Sequence, residues 1–363
     1  MDSALIWEIL IKSLALILVL LTGFAYLTYY ERRALARIQS RVGPNRAGPW
    51  GLLQPVADAV KLIFKEEFTP AQAYKPVFFL APIITMVPAI VITAVIPWGG
   101  TVTIGGREVA LSVADINVGA LYIMSVASIA VYGVVLAGWS SNNKYAMLGG
   151  LRSSAQMISY ELALGLSFVT AILLGNSMQM SQIVEAQRGI WFFFLQPVGA
   201  LVFMIATLAE VNRAPFDMPE AEQELSTGYN VEYSGMKFAL FMMAEYTKMI
   251  SISAIVAVLF FGGYRGPGVD AHPWLGPLYI FIKIFFLLFG MIWVRATFPR
   301  IRYDRLMAFG WKVLLPLSLA LIFITALGIL LEQMWLIPLL SLIAGAVAVY
   351  AVNNTLRRKA YAR

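Results

Sequence analysis

Long apolar runs separated by shorter polar segments extend along the whole sequence. Each run is long enough to cross a hydrocarbon core about 30 Å thick as a helix. Nine runs are present, at about residues 5–30, 77–97, 118–138, 157–175, 191–210, 237–261, 277–298, 312–331 and 335–352. The last two are separated only by Glu332, Gln333 and Met334, and we assume a tight helical hairpin there. The pattern predicts an all-α membrane protein of about nine transmembrane helices, with residues 1–363 forming a single polytopic domain.

One shorter segment, at about residues 51–65, has a different pattern. Asp58, Lys61 and Lys65 cluster on one side of a helix built from this segment. The other side carries the apolar residues Leu52, Leu53, Val56, Val60, Ile63 and Phe64. A helix of this length is too short to span a bilayer. We therefore predict an amphipathic helix that lies in the membrane interface, and a purely structural strap without chemistry is the alternative.

The basic residues predict the orientation. Of the 27 Lys and Arg residues, 20 lie in the loops at 31–76, 139–156, 211–236 and 295–312 or in the C-terminal tail. The alternate loops hold only Arg107, Arg188 and Arg265. Because cytoplasmic loops carry the excess of Lys and Arg, the first set is expected to be cytoplasmic. This places the N-terminus outside, the C-terminus inside and the acidic loop at 211–236 on the cytoplasmic side.

Composition agrees with this class and narrows the chemistry. The chain is 60% hydrophobic and only 13% charged, with a net charge of +7. The positive charge lies between the apolar runs, where it meets anionic lipid, so no nucleic-acid partner is expected. There are no cysteines and one histidine, His272. This excludes cysteine-ligated iron–sulfur clusters, structural zinc sites and a bis-histidine haem, so we predict no metal site.

Three glutamates near the cytoplasmic ends of predicted spans are candidates for chemistry. A carboxylate at the bilayer centre costs roughly 2.5–3.5 kcal/mol, so it needs a structural or functional reason. Glu161 lies in the fourth span, Glu210 ends the fifth, and Glu245 lies in the sixth. Lys248 can pair with Glu245 on the same helix, which makes a purely structural pair the alternative there. Glu161 has no partner nearby in the sequence, which favours a role in proton transfer.

The loop after the fifth span is unusually acidic. It holds six acidic residues against one basic residue, Arg213: Glu210, Asp217, Glu220, Glu222, Glu224 and Glu232. If residues 219–226 are helical, Glu220 and Glu224 share a face. Closely spaced carboxylates titrate as a coupled set, which suits a proton relay. A solvated acidic loop is the alternative, although its apolar residues Phe216, Met218 and Leu225 are not typical of one.

Three stretches resemble a known family. They are ERRALARIQSRVGPNRAGPWGLLQPVADAVKLIFKE at Glu31–Glu66, GWSSNNKYAMLGGLRSSAQMISYELALGL at Gly138–Leu166 and AEVNRAPFDMPEAEQELSTGYNVEYSG at Ala209–Gly235. They are similar to the largest non-antiporter core subunit of respiratory complex I, which is NADH dehydrogenase subunit 1 among the mitochondrially encoded chains and has a bacterial counterpart. The likeness covers roughly residues 5–330, so it does not include the ninth predicted span.

The resemblance implies a subunit at the junction of the peripheral and membrane arms of a proton-pumping NADH:quinone oxidoreductase. Carried over by motif, Arg32 and Asp58 line the quinone chamber. The residues implied for a proton relay are Glu161, Glu210, Glu220, Glu222, Glu224, Glu232 and Glu245. Quinone is then the substrate, and the charge change on its reduction alters the proton affinity of nearby carboxylates.

The resemblance also implies partners and a location. This chain binds no cofactor alone, whereas NADH, FMN and the iron–sulfur clusters belong to partner subunits. The implied partners are the iron–sulfur and quinone-site subunits of the peripheral arm, small membrane subunits, antiporter-like subunits and lipid. A bacterial plasma membrane is preferred over an organelle membrane. The alternatives are the homologous membrane subunit of an energy-converting hydrogenase-type complex and a stand-alone secondary ion transporter, although no internal repeat is evident.

The predicted orientation gives a direct test. A reporter fused after Arg363 is expected to be cytoplasmic, and one fused before Met1 is expected to be periplasmic, because nine crossings place the termini on opposite sides. Alkaline phosphatase and green fluorescent protein fusions measure this, since each is active on only one side. Two termini on the same side would contradict the nine-span topology.

Overall fold

Helices form almost the whole molecule. A computed structural model describes residues 3–104, 107–218 and 228–361, and for residues 3–5, 104, 107 and 355–361 it describes the backbone alone. The helices are α1 Ser3–Ile38, α2 Gln54–Phe64, α3 Lys75–Val91, α4 Gly119–Ser140, α5 Lys144–Gly175, α6 Met180–Ala186, α7 Phe192–Leu195, α8 Pro197–Glu210, α9 Gly235–Phe260, α10 Leu275–Thr297, α11 Tyr303–Phe309, α12 Leu315–Leu330 and α13 Leu336–Tyr361.

Eight helical segments within the described residues are long and apolar enough to cross a membrane. They correspond to eight of the nine predicted spans, and the all-α membrane fold is confirmed. A π-helical turn, Gly310–Leu314, joins α11 to α12 so that both belong to one span. The C-terminal span, predicted at 335–352, begins at Leu336 in α13.

The fifth predicted span, 191–210, is not one uninterrupted helix. It consists of the short α7 and the 14-residue α8, which together replace the single span expected there. The helix breaks at Gln196, whose φ of −135° and ψ of 65° are not helical. Pro197 follows, and a proline disfavours the helical conformation in the residue before it. At 14 residues α8 is only about 21 Å long, which is shorter than a hydrocarbon core about 30 Å thick, so it does not span one alone.

Two helices extend beyond their predicted spans. α5 begins at Lys144 instead of near residue 157, so most of the loop predicted at 139–156 is helical. The side chain of Asn143 accepts a hydrogen bond from the backbone N–H of Tyr145 and caps this helix. α1 continues to Ile38 and carries its basic residues on a helix. The apolar runs therefore located these two helices but not their ends, and a side-chain cap marks the start of α5.

A small hairpin was not predicted. Strands β1 Thr101–Ile104 and β2 Arg107–Ala110 pair antiparallel after α3, with Thr101 opposite Ala110. They lie in the loop that the charge distribution assigns to the outside. The two ends of the hairpin are joined by a backbone hydrogen bond, in which the Trp98 backbone N–H before β1 donates to the Leu111 carbonyl after β2.

Helix α9 is the centre of the bundle. Its most apolar window is 83% buried, against 6% for α1 and 11% for α13. The main core cluster surrounds α9 with residues from α4, α5, α6, α8 and α10 and from the turn that follows α3. The outer helices α1, α10 and α13 present large apolar side chains outward, as surfaces in contact with lipid or partner chains do. Polar side chains on α9 are consequently enclosed by protein.

The amphipathic helix predicted at about 51–65 is α2, Gln54–Phe64, and none of its residues is buried. Its apolar face is exposed, with Val56, Ile63 and Phe64 each more than half exposed. Helix α2 packs against α1 and α9. The prediction of a short helix outside the spans is confirmed.

Candidate functional site

A buried ion pair joins α8 to α9. The Lys248 Nζ atom lies 2.8 Å from Glu210 Oε1 and also donates to the Glu210 backbone carbonyl at 3.1 Å. Both residues are at least 91% buried. The sequence suggested Glu245 as the partner of Lys248 on the same helix. Lys248 instead extends to the end of α8, where carbonyl groups left unpaired at a helix C-terminus attract a cation.

Glu245 is paired with Arg213, which follows α8. The Arg213 Nε atom lies 2.8 Å from Glu245 Oε1, and its Nη1 atom lies 3.4 Å from Glu31 Oε1. Arg295, from the end of α10, also pairs with Glu31. The Arg213 guanidinium is 4.4 Å from the centre of the Tyr246 ring, within cation–π range. Four separate parts of the chain thus meet at one cluster of alternating charges.

Glu161 has a different environment from these paired glutamates. It lies on α5, is partly buried, and accepts a hydrogen bond from the Ser128 hydroxyl on α4. Within the described part of the chain, Glu161 forms no ion pair. It lines a cavity of about 40 Å³ together with Glu210 and Lys248, and the other lining residues are mostly apolar.

A second and larger cavity is also lined by the Glu210–Lys248 pair. Its volume is about 840 Å³, and its lining includes Glu210, Lys248 and Glu245. Aromatic residues of α9 and of the segment before it contribute to the remaining wall, including Tyr229 and Phe238. Glu210 and Lys248 line both cavities, so the large cavity and the small one lined by Glu161 share this ion pair.

The first part of the acidic loop is held firmly on α5. The Gln156 side-chain amide donates to the backbone carbonyls of Ala209 at 2.9 Å and Phe216 at 2.7 Å. Asp217 is buried, and its carboxylate pairs with Arg300 at 3.3 Å. These bonds fix the path of the chain from Glu210 onward, so the position of Arg213 follows from backbone contacts as well as from its charge.

The last part of the acidic loop, residues 228–234, is held against α3, α4 and α5. A Cβ atom on Gly149 of α5 would lie 2.4 Å from Gly228 Cα, so the two backbones touch there. Glu232 accepts a hydrogen bond from the Asn143 side chain at 2.6 Å. Tyr233 stacks on Phe78 of α3 at 4.1 Å between ring centres. Burial raises the pKa of Tyr233 to about 12, so its hydroxyl stays a neutral donor, here to the Phe78 carbonyl.

The predicted relay residues are therefore only partly located. Glu161, Glu210 and Glu245 come together around the two cavities, whereas the hydrogen-bond partner of Glu232 is Asn143 at the start of α5. Glu220, Glu222 and Glu224, with the helix predicted at 219–226, lie outside the described residues.

Arg32 and Asp58 form a second location, at the contact of α1 with α2. The Arg32 Nη1 atom lies 2.6 Å from Asp58 Oδ2, and Gln54 donates to Asp58 Oδ1 at 3.1 Å. The Arg32 side chain is about half exposed. Helix α1 connects this pair to the buried cluster, because Glu31 precedes Arg32 and lies on the inner side of α1.

Sequence reasoning missed several residues of the site. Glu31 and Arg295 complete the cluster around Arg213, and Ser128 is the partner of Glu161. Glu31 offered a signal, since an acidic residue that begins a basic stretch at the end of an apolar run is unusual. Ser128 offered none, because a serine in an apolar helix usually bonds its own backbone.

Comparisons with known proteins agree with one another. The family model described as NADH dehydrogenase matches residues 11–326. An NADH-quinone oxidoreductase subunit of Protochlamydia amoebophila (strain UWE25) is 50% identical over 305 residues, 84% of this chain and 92% of that protein. The same subunit in Geobacter sulfurreducens, in one of its two copies, is 52% identical over 314 residues, covering 86% and 94%. Its equivalent in Rhodospirillum rubrum is 52% identical over 322 residues, covering 88% and 93%.

The Glu210–Lys248 pair predicts a pattern of compensation. Glu210→Gln or Lys248→Met alone leaves one buried charge unpaired, at a cost of roughly 3–5 kcal/mol, and the amount of chain in the membrane should fall. The double variant removes both charges and should restore much of that amount. Quantitative immunoblotting of membranes measures this. Losses that simply add in the double variant would show that the two side chains do not interact.

Proposed function

Since the chain belongs to the NADH dehydrogenase family, as a membrane subunit of NADH-quinone oxidoreductase, we propose that it forms the membrane-side wall of the quinone chamber and starts a proton relay. It is a multi-pass protein of the bacterial inner membrane. In this proposal the N-terminus lies outside and the C-terminus is cytoplasmic, as the Lys and Arg distribution predicts. The loop end of the bundle, with α2 and the acidic loop, then faces the peripheral arm.

The observation that carries the proposal is the pair of cavities that share the Glu210–Lys248 ion pair. The larger cavity has polar groups at the loop end and aromatic walls, which suits a path that admits protons and the end of an amphipathic ligand. The smaller cavity is lined by apolar residues apart from Glu161, the shared pair, Thr207 and Ser251. Protons arriving at Glu210 therefore have Glu161 as the next carboxyl group further into the bundle.

Quinone binding is assigned to the α1–α2 contact. An apolar, exposed face on α2 suits the quinone tail or the surrounding lipid, and the Arg32–Asp58 pair offers both a donor and an acceptor to a polar headgroup. Glu31 stands beside Arg32 in the sequence and belongs to the cluster of Arg213 and Glu245. A change of charge at the quinone headgroup thus acts on Glu31, which is linked through Arg213 to Glu245 in the proposed relay.

Electrostatics supplies the coupling in this proposal. Reduction of a quinone consumes two protons, and an anionic intermediate changes the field on every nearby carboxylate. Because water is scarce in the interior, that field is screened much less than it is in solution. The two ion pairs Arg213–Glu245 and Lys248–Glu210 are the groups whose charges respond to it. Their side chains are therefore proposed to regulate when Glu161 accepts and releases a proton.

The redox centres lie in other subunits in this proposal. NADH, FMN and the iron–sulfur clusters are assigned to the peripheral arm, and electrons reach quinone from the iron–sulfur subunit. The residues of this chain bind the headgroup, exclude water and hold protons. The antiporter-like subunits receive the effect of the relay further along the membrane.

Asp58 gives the first test. Asp58→Asn keeps the size of the side chain but removes the negative partner of Arg32, and NADH:quinone reduction is expected to fall about tenfold or more. The pair is partly exposed, so stability should change by about 1 kcal/mol or less. NADH oxidation by a hydrophilic artificial acceptor should remain close to wild type, because flavin lies in another subunit.

The matched control for Asp58 is Asp304→Asn, because Asp304 is 78% exposed and only loosely paired with Arg302. Complex content is measured in both variants by native electrophoresis. Equal loss of both activities in Asp58→Asn would indicate failed assembly and would remove the quinone-binding role.

Glu161 gives the second test. Glu161→Gln keeps an oxygen that accepts from Ser128 but cannot carry a proton, so assembly should survive and coupled quinone reduction should fall about tenfold or more. Glu161→Asp should retain part of the activity. The control Glu332→Gln changes an exposed glutamate between α12 and α13. Normal complex content with wild-type rates of quinone reduction and proton uptake in Glu161→Gln would exclude the relay role.

A further inference from the structure

The connection that follows α2 is fastened to the start of α9. The Ser234 hydroxyl, one residue before α9, donates to the Glu66 backbone carbonyl at 2.8 Å. The Lys237 Nζ atom donates to Thr69 Oγ1 at 2.9 Å and lies 3.5 Å from the Glu67 carboxylate. Gly235 has a φ of +58°, and a Cβ there would lie 3.0 Å from Glu67 Cγ. These contacts join residues 65–69 to residues 234–237, and we call them the α2–α9 clamp.

Lys237 is an unusual residue at this position. It is only 6% exposed, although lysine is rarely buried without a partner. It also lies in the first turn of α9, where the helix dipole disfavours a positive charge. Besides Glu67 and Thr69, its ammonium group lies 4.1 Å from the centre of the Phe79 ring on α3. A buried cation against the dipole is stable here because these groups from two other segments surround it.

Helix α2 depends on its two ends for its position. None of its own residues is buried, so the side chains that contact α1 and α9 stay partly accessible and its attachments at either end add to its positioning. Before α2, the Trp50 carbonyl accepts a hydrogen bond from the Tyr29 hydroxyl of α1 at 2.7 Å. Within α2, the Asp58–Arg32 pair is partly exposed. After α2, the clamp fastens the following residues to the start of α9. Loss of the clamp would weaken the hold on the C-terminal end of α2 and allow it to shift relative to α1.

We propose that Lys237 is a positioning residue for the quinone site. Lys237 holds α2 in the position relative to α1 in which Asp58 pairs with Arg32. This inference rests on the proposed quinone role of Asp58. Lys237 itself touches neither residue, so it acts through the connection at residues 65–69. Displacement of a binding group by about 1 Å can change a rate on the order of 100-fold, so a small shift of α2 has a measurable effect.

The test replaces Lys237 in the whole complex. Lys237→Met keeps the aliphatic stem against the phenylalanine rings and removes the charge, and Lys237→Arg keeps a cation that reaches Glu67 and Thr69. The matched control is Lys144→Met, at an exposed lysine that begins α5. The measurements are complex content, NADH oxidation by a hydrophilic acceptor, and kcat and KM for a short-chain quinone.

A positioning role predicts a specific kinetic change. Lys237→Met should raise KM for the quinone roughly threefold or more, per assembled complex, with oxidation by the hydrophilic acceptor unchanged. Lys237→Arg should return KM to within about twofold of wild type, and Lys144→Met should not change it. A wild-type KM in Lys237→Met, at any complex content, would overturn the inference.

Two further variants keep the outcomes distinguishable. Ser234→Ala removes one hydrogen bond of the clamp without leaving a buried charge. It replaces Lys237→Met if Lys237→Met fails to assemble. The same rise in KM for the quinone is then expected, and a wild-type KM in Ser234→Ala overturns the inference. Asp58→Asn is measured beside them. If Asp58→Asn impairs quinone reduction while the clamp variants do not, only the positioning role fails. If Asp58→Asn has wild-type kinetics, the quinone site itself is misassigned.

Discussion

The buried guanidinium of Arg213 is the interaction on which the rest of this structure depends. It pairs with Glu31 from α1 and Glu245 from α9, and it stacks on Tyr246. Arg213 is 2% exposed, so its charge requires partners with favourable geometry. Arginine suits this task because its planar group contacts two carboxylates and a ring at once. The acidic loop, the first helix and the central helix are therefore brought together by one side chain.

Neighbouring carboxylates in this site are held in different ways. Glu31, Glu210 and Glu245 have cationic partners from other elements. Glu161 has a serine hydroxyl instead. A hydroxyl partner can serve a carboxyl group with or without its proton. This environment sets Glu161 apart from the three ion-paired carboxylates, in line with the relay role proposed for it.

The helix arrangement explains how these groups stay buried in a membrane protein. Helix α9 lies at the centre of the bundle. The short helix α8 ends at Glu210, and the Glu210 carboxylate pairs there with Lys248 on α9. At the break, the Gln196 backbone N–H donates to the Phe192 carbonyl and its side-chain Nε2 donates to Thr325 of α12. Broken helices are tolerated in membranes where neighbouring helices complete their hydrogen bonds. Helix α13 lies beyond residues 11–326, the part that the family model matches, and it packs on α8 and α12.

The sequence alone determined the membrane class, eight of the nine spans, the amphipathic helix at α2 and the family, because apolar runs and long motifs are local properties of the chain. It also identified Glu161, Glu210 and Glu245 as unusual, since a carboxylate in an apolar span is costly wherever it occurs. Only the tertiary structure decided which partner each of them has. Lys248 extends to Glu210 on α8 instead of Glu245 three residues away, and Arg213 takes Glu245. Spacing on one helix shows which side chains can meet, but pairing across helices depends on crossing points and helix ends that no local pattern contains.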